Sequence, residues 1–279
     1  MKRIISHHLL YAILAISFKM SLVIAEPTNQ TVSTITDWTP PPNPNPEKIL
    51  DEARADAKAG KYANALTKHV WFFQNALKYE SALRGVRLSF ALGDWTKLGK
   101  SYPPALEKLS TLRDEAGTNV FKGKNTKENF IDYKSINREL KQDSKTVEFF
   151  VWLDANRPEV AKEVFDYAEP ALIKSKEYRL CGKYCDATDF NRYEQSYREN
   201  IEIAKQYGPT AILAKQNFLN FAERSLINKT TTLIALLVIN DRQAEAQQIA
   251  DKISNEPDLP KFKTEIQKAL NGEVPQPWP

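Results

Sequence analysis

The chain is poor in the residues that most enzyme and metal sites require. Its 279 residues include three histidines and two cysteines. His7 and His8 lie in an N-terminal segment that we expect to be removed, which leaves His69. One histidine and one cysteine pair supply neither a nucleophile–base set nor a zinc site. A glycine-rich phosphate loop and a Ser-His-Asp set are missing too. We therefore predict that the protein is not an enzyme and that it uses no catalytic residues, cofactor or metal.

Glycine is also scarce, with nine residues, and no stretch alternates apolar and polar residues as a half-buried strand would. Long stretches rich in Ala, Leu, Glu, Lys and Gln favour helix over sheet. The sequence therefore predicts an all-α fold. His69 falls between Ala65 and Phe73 on the apolar face of a predicted helix, so we expect it to be a packed core histidine.

The chain carries little net charge. Lys and Arg total 39 against 35 Asp and Glu, a formal charge of +4. Lys2, Arg3 and Lys19 belong to the segment expected to be removed, which would leave 36 basic residues against 35 acidic. A balance this close to zero gives no reason to expect a nucleic-acid partner.

Residues 1–25 have the features of a secretory signal peptide. Lys2 and Arg3 precede a mostly apolar run, and Val23-Ile24-Ala25 provides short side chains at the exit site. Lys19 interrupts the run, which falls short of the about 20 apolar residues that a span needs. We predict cleavage after Ala25, a periplasmic or secreted protein, and no stable membrane span afterwards. Retention as an uncleaved anchor is the alternative.

Residues 26–45 are polar and end in a proline-rich stretch, which is typical of an extended linker. Asn45 is a good N-cap and Pro46 suits the first position of a helix. Gly60 suits a helix end. The first helix is therefore predicted to run from Pro46 to Lys58.

The stretch Gly60-Lys61-Tyr62-Ala63-Asn64-Ala65-Leu66 is typical of a tight turn between two packed helices. A similar pattern returns at Gly93-Asp94-Trp95, a period of 33 residues that indicates a helical repeat. We therefore expect turns at both Gly60 and Gly93, with a helix from Ser81 to Leu92 between them. The aligned positions pair Leu50 with Leu83, Ala53 with Val86, Arg54 with Arg87, Ala57 with Phe90, Tyr62 with Trp95, and Ala65 with Leu98.

The order of small-residue turn, aromatic residue and Ala-Leu resembles the tetratricopeptide repeat (TPR). The chain departs from that repeat in lacking its first-helix Trp and its Leu-Gly pair, and in its period of 33 instead of 34. The chain also resembles uncharacterised exported bacterial proteins with degenerate repeats of this kind. The residues that carry this second resemblance are Gly60-Lys61-Tyr62, Trp71-Phe72, Asn75-Ala76-Leu77-Lys78-Tyr79 and the run from Gly85 to Leu92.

These resemblances imply a right-handed superhelical array of antiparallel helix pairs, a TPR-like α-solenoid, and a bacterial origin. They imply no activity. We expect TPR-like repeats in residues 46–116, a degenerate helical continuation in 117–272 and a short extended tail in 273–279. Within the continuation we expect a loop from Gly117 to Lys124, followed by helix caps at Asn125 and at Asp143 or Ser144. New helices are expected to begin at Pro158 and Pro170. Further helices are expected over 187–206, 210–228 and 230–239, then a turn at 240–246 and a terminal helix from Leu259 to Leu270.

Cys181 and Cys185 are the only two cysteines. An exported protein occupies an oxidising compartment, and a spacing of four residues can bring the two Cα atoms within disulfide reach. We predict a structural disulfide, with two free thiols or a redox site as the alternatives.

Stacked helix pairs form a curved surface that suits protein or peptide partners. Arg54, Arg84 and Arg87 would place positive charge on the first helices of the repeats, so we expect them to bind an acidic or C-terminal-carboxylate partner. The alternative for Arg54 is a local ion pair with Asp51 or Glu47. A structural role in a cell-envelope complex, or less favourably an enzyme or small-ligand binder, stays open, as does the oligomeric state.

Overall fold

The computed structural model describes residues 38–208, 210–256 and 258–278, and every regular element within them is helical. The all-α prediction is therefore confirmed. The predicted signal peptide and most of the predicted linker lie outside the described residues. The elements are α1 (Pro46–Lys58), α2 (Tyr62–Tyr79), a 3-10 turn (Ser81–Leu83), α3 (Arg84–Leu88), α4 (Phe90–Ser101), α5 (Pro103–Phe121), α6 (Thr126–Glu139), α7 (Asp143–Asn156), α8 (Pro158–Lys174), α9 (Tyr178–Tyr184), α10 (Asp189–Lys205), α11 (Ile212–Ile239), α12 (Gln243–Asn255) and α13 (Lys263–Leu270).

The first helix has the bounds that its local sequence predicts. The side chain of Asn45 accepts a hydrogen bond from the backbone N–H of Lys48 at 3.0 Å, and Pro46 is the first helical residue. Gly60 follows the helix with φ of 75°, a left-handed conformation that glycine adopts without steric cost. Both predicted ends of α1 are confirmed.

The predicted turn at Gly93 is wrong, because Gly93 lies inside α4. The backbone breaks instead at Ser89, with φ of −132° and ψ of −88°, so the predicted helix from Ser81 to Leu92 is divided. A glycine within a helix costs about 1 kcal/mol. Continuing the helix buries Leu92, Trp95 and Leu98 almost completely, and burial of one such side chain is worth about 1.5–3 kcal/mol.

Several later boundaries also differ from the predictions. Gly117 is helical within α5, so the expected loop shortens to residues 122–125. Asn125 precedes α6, but neither its side chain nor that of Gln142 before α7 makes a capping hydrogen bond. Pro170 lies inside α8, where it does not start a new helix, because the buried face of α8 continues past it to Leu172.

The predicted helices over 210–228 and 230–239 form one helix of 28 residues, α11. The polar triplet Asn228-Lys229-Thr230 does not end it. Thr231 Oγ1 donates to the backbone carbonyl of Ile227 at 2.7 Å, so this hydroxyl is satisfied inside the helix. All eight residues from Thr230 to Leu237 are buried.

The main helix contacts join elements that are close along the chain. The most extensive are α1 with α2, α5 with α6, α7 with α8 and α10 with α11, and α11 also packs against α9, α12 and α13. The core around Trp95 includes Ile136 of α6, so it extends past the predicted domain boundary at residue 116. In the part of the chain that the structure describes, no helix is both long and apolar enough to cross a membrane.

The place of Gly93 inside α4 predicts the effect of its replacement by alanine. We expect Gly93→Ala to raise the free energy of unfolding by about 0.5–1 kcal/mol, because the added Cβ has room beside Glu139 Oε2 at 3.8 Å. Gly60→Ala is the matched control and should lower it by about 1 kcal/mol, because Gly60 has a positive φ. Urea unfolding measures both values. A loss at Gly93 equal to that at Gly60 would contradict the helical assignment.

Candidate functional site: a basic cleft between three helices

Arg87 is turned inward and links three helices. Its two terminal nitrogens donate to both carboxylate oxygens of Asp132 on α6 at 2.6 and 2.7 Å. Its Nε donates to the backbone carbonyl of Phe73 on α2 at 2.6 Å, and its guanidinium lies 3.8 Å from the centroid of that ring. Only 11% of the side chain is exposed. These contacts leave Arg87 poorly placed to meet a partner protein.

Arg54 is also paired within the chain. Its Nε donates to Asp94 of α4 at 2.8 Å and its Nη1 donates to Asp51 at 2.8 Å. The local pair with Asp51, which the sequence offered as an alternative, is therefore confirmed. Burial alone would raise the pKa of Asp94, but hydrogen bonds from Arg54 and Lys97 lower it below the usual range. Arg54 thus joins α1 to α4, much as Arg87 joins α3 to α6.

Arg84 is the most exposed of the three predicted arginines, and it lines an open cleft. Its guanidinium pairs with Glu128 of α6, and about half of each side chain remains exposed. The cleft lies between α3, α6 and α8 and has a volume of about 570 Å³. We refer to it as the basic cleft.

One face of α6 supplies most of the positive charge in the basic cleft. Lys127, Ile131, Lys134 and Arg138 line it, and their spacing of four, three and four residues places them on one side of a helix. Tyr167 of α8 completes the wall, with the Lys127 ammonium 5.6 Å from its ring centroid. Together with Arg84, four cationic side chains line the cleft. Glu128 is the one carboxylate among the described lining residues.

Lys134 is the half-buried cation of the basic cleft that has no carboxylate partner in the described structure, whereas Lys127, which also has none, is exposed. Its side chain is half-buried, and no carboxylate lies within ion-pair distance among the residues that the structure describes. Burial lowers the pKa of its ammonium, the nearby cations Arg138 and Lys174 lower it further, and Asp143 opposes them. An anion placed in the cleft would relieve this unfavourable arrangement.

The break between α3 and α4 helps to form the cleft. The carbonyl of Leu88 loses its helical partner at the break, and Arg138 donates to it at 2.7 Å. Ser89 Oγ donates to the carbonyl of Gly85 at 2.7 Å, which satisfies a second group at the same end. Arg138 is therefore held at the cleft by the irregular backbone.

Lys127, Lys134 and Arg138 were not among the site residues predicted from the sequence. Their helical spacing was a usable signal, since all three fall on one face of a segment predicted to be helical. The break at Ser89 and the approach of α3 and α8 depend on packing between distant segments. No local pattern indicated them.

His69 is a packed core residue, as its helical position predicted. It is 2% exposed and stacks on Trp95 with ring centroids 5.8 Å apart. Its Nδ1 is buried and has no hydrogen-bond partner among the described residues. Burial lowers its pKa from 6.5 to about 4; Asp94 opposes this shift and Arg54 adds to it. In the described part of the chain, no group of three or more His, Cys, Asp or Glu side chains is placed to hold a metal ion.

The lowered pKa of His69 predicts a loss of stability in acid. The unfolded chain binds a proton at His69 below pH 6.5, whereas the folded chain does so only near pH 4. The free energy of unfolding therefore falls as the pH drops through this window. Between pH 7 and pH 4.5 we expect the fall in His69→Phe to be smaller than in the wild type by about 2–3 kcal/mol. Urea unfolding at the two pH values measures this difference, and parallel profiles would contradict it.

The two cysteines flank the end of α9 as buried free thiols. Cys185 Sγ lies 3.7 Å from the backbone carbonyl of Gly182, which accepts its weak hydrogen bond. Burial raises the pKa of both thiols, that of Cys185 to about 11. Such thiols react slowly in the folded protein, which disfavours the redox-site alternative. The disulfide stays a prediction.

Thiol labelling of the protein tests the predicted disulfide. Unreduced, denatured protein should give no labelled thiol per chain if Cys181 and Cys185 are joined during export, before burial protects them. A sample reduced before denaturation should give two and serves as the control. Two labelled thiols in the unreduced sample would show that the pair stays reduced.

Comparisons of the chain with protein-family models, with curated proteins and with solved structures give no match. The basic cleft combines open space with a half-buried cation that has no carboxylate partner in the part of the chain that the structure describes.

Proposed function

We propose that the protein is an exported protein- or peptide-binding scaffold, a TPR-like right-handed superhelical array whose partner presents a carboxylate to the basic cleft. The observation that carries this proposal is the set of four cationic side chains around a cleft with a single lining carboxylate. Lys134 is the central element because it is half-buried and unpaired among the described residues.

The proposed array is supported by the order of the helix contacts. Extensive contacts join helices that are neighbours or near neighbours in the chain, as expected when helix pairs stack in sequence. The ion pairs of Arg54 with Asp94 and of Arg87 with Asp132 each span one such step. Export is supported by the charge, length and exit site of residues 1–25.

An acidic partner is favoured over a neutral or basic one by electrostatics. Arg84 and Glu128 are both about half exposed, so a partner carboxylate can compete for the guanidinium in water. Lys134 gains a counter-ion without losing one. Complementary charge of this kind chiefly sets specificity and the association rate. The apolar side chains Leu88 and Ile131 also line the cleft and can contact the stem of an acidic side chain.

A peptide partner and a small-ligand partner differ in how they would use the site. The cleft is open and bounded by three separate helices, an arrangement that suits a chain lying across it. A structural role in a cell-envelope complex could use the same surface, with an acidic segment of a neighbouring subunit as the partner. An acidic peptide is the probe both for a peptide partner and for an acidic segment of a neighbouring subunit.

Fluorescence anisotropy with a labelled ten-residue polyglutamate peptide tests this function. We expect Lys134→Gln, which keeps the size of the side chain and removes its charge, to weaken binding by about fivefold to tenfold. Arg84→Ala should act in the same direction. Lys100→Gln, at an exposed site on α4, is the matched control and should leave binding unchanged. Binding should also weaken as salt is raised from 50 to 500 mM.

A polyglutamine peptide of the same length controls for charge, and a polyglutamate peptide with an amidated C-terminus separates side-chain from terminal carboxylates. Equal affinity for polyglutamine, or an unchanged affinity in Lys134→Gln, would contradict the proposal. Arg54→Ala and Arg87→Ala are poor tests because both arginines join helices, so their loss should lower stability first.

A further inference from the structure

The C-terminal tail does not project away from the helices but folds back over α11. Gly272 ends α13 with φ of 80°, and its N–H donates to the carbonyl of Ala269 at 2.8 Å. The N–H of Glu273 donates to the carbonyl of Lys268 at 3.0 Å, which completes a Schellman turn. This turn directs residues 273–278, which form no regular secondary structure, onto the surface of α11.

Asn228 of α11 holds the tail by its backbone. Its Nδ2 donates to the carbonyl of Gln276 at 2.8 Å, and its Oδ1 accepts the N–H of Trp278 at 3.0 Å. A carboxamide can donate and accept at once, so it pairs with an extended peptide as a neighbouring strand would. Pro275 and Pro277 have no N–H, so Asn228 uses one of the few backbone donors that this segment has.

The Trp278 side chain lies in the groove with its polar group unpaired in the described structure. The Arg224 guanidinium lies 5.2 Å from the centroid of its ring, which favours an aromatic side chain there. The indole Nε1 is nevertheless buried without a hydrogen-bond partner among the described residues. A buried donor left unpaired is unfavourable. The unpaired indole N–H therefore makes the contact of Trp278 with the groove less favourable than a fully paired one.

The groove continues along α11 past Trp278. One cavity of about 640 Å³ lies between α11, α13 and the tail, and a second of about 630 Å³ follows α11 on the other side of Trp278. Asn217, Phe221, Arg224 and Asn228 are spaced by four, three and four residues, so they share one face of the helix. Phe221 is 50% exposed on this face. A partner segment lying in this part of the groove would cover it.

We propose that this groove along α11 is a second peptide-binding site, which takes an extended Pro-x-Pro-aromatic segment of a partner protein and is blocked by the protein's own tail. The tail shows the chemistry of the ligand. Asn228 pairs with the backbone on both sides of Pro277, Arg224 contacts the aromatic ring, and the exposed face at Phe221 offers a partner segment further contact area. The ligand class differs from that of the basic cleft, which binds by charge.

Competition with the tail in the full-length chain tests this proposal. The probe is a fluorescein-labelled synthetic peptide, Glu-Val-Pro-Gln-Pro-Trp-Pro, with the sequence of residues 273–279. Trp278→Ala removes the aromatic anchor of the tail, so this variant should bind the probe at least tenfold more tightly than the wild type. The linked tail has an effective concentration of about millimolar, which explains weak binding by the wild type.

Adding Asn228→Ala to Trp278→Ala should weaken binding of the probe at least tenfold. Asn156→Ala in the same background is the matched control and should change it by less than twofold, because Asn156 is exposed on α7, outside the groove, and its Nδ2 donates to the carbonyl of Trp152. If Asn228→Ala reduces helicity, Asn228→Asp replaces it. The carboxylate of that variant would keep the acceptor and lose the donor, so a threefold or larger loss is still expected.

Three results would overturn the proposal. Trp278→Ala could bind the probe no better than the wild type, which would make the tail a fixed structural strap. The double variant could bind as tightly as Trp278→Ala, which would place the probe elsewhere. Lys134→Gln could abolish binding in the Trp278→Ala background, which would assign the peptide to the basic cleft. Unchanged binding in that last variant supports two separate sites.

Discussion

The C-terminal half of the protein depends on a helix segment that has no solvent face. Thr230 to Leu237 of α11 are all buried, and a helix that is buried on every side must be surrounded by other helices. α9, α10, α12 and α13 meet this requirement. The end of α11 is held at the same place, since Asn240 Nδ2 donates to the carbonyls of Leu236 and Tyr178 at 2.8 and 3.1 Å. Gly182 leaves room for it, because a Cβ there would lie 1.8 Å from Asn240 Nδ2.

In the N-terminal half, ion pairs of charged side chains connect α1 with α4 and α3 with α6. Arg54 on α1 and Arg87 on α3 are 33 residues apart in the sequence. Each pairs with a carboxylate on a later helix, 40 and 45 residues further along the chain. Both arginines therefore join helices that are separated along the chain. The charge that remains for a partner lies on α6, where Lys134 has no carboxylate beside it in the described structure. Arg54 and Arg87 thus join helices of the fold, whereas Lys134 lines the open cleft.

The two proposed sites use different chemistry on the surfaces that packing leaves open. The basic cleft offers cations with few counter-charges, so its selectivity is electrostatic and sensitive to salt. The groove on α11 offers a carboxamide and an aromatic contact, so its selectivity lies in backbone direction and in the placing of prolines. The tail groove exists because α11 continues N-terminally beyond its buried segment, where Phe221 and Asn228 face outward. One helix therefore serves as the centre of the core and as a binding surface.

The sequence alone determined the features that depend on local chemistry. Asn45, Pro46 and Gly60 set both ends of α1, and Pro103 and Pro158 begin α5 and α8, because caps and fixed φ values act within a few residues. Where a local helix-breaking residue conflicted with a continuous buried face, tertiary packing determined whether the helix continued. Gly93 and Pro170 remained inside helices because burial of Trp95 and Leu172 outweighs a cost of about 1–3 kcal/mol. The same applies to the candidate site: the local pair of Arg54 with Asp51 could be predicted, but Arg54, Arg84 and Arg87 each also pair with a carboxylate 40 to 45 residues away. No local pattern shows which of these distant charges will meet, and so the packing of the helices decided that Lys134 would be half-buried without a carboxylate partner among the described residues.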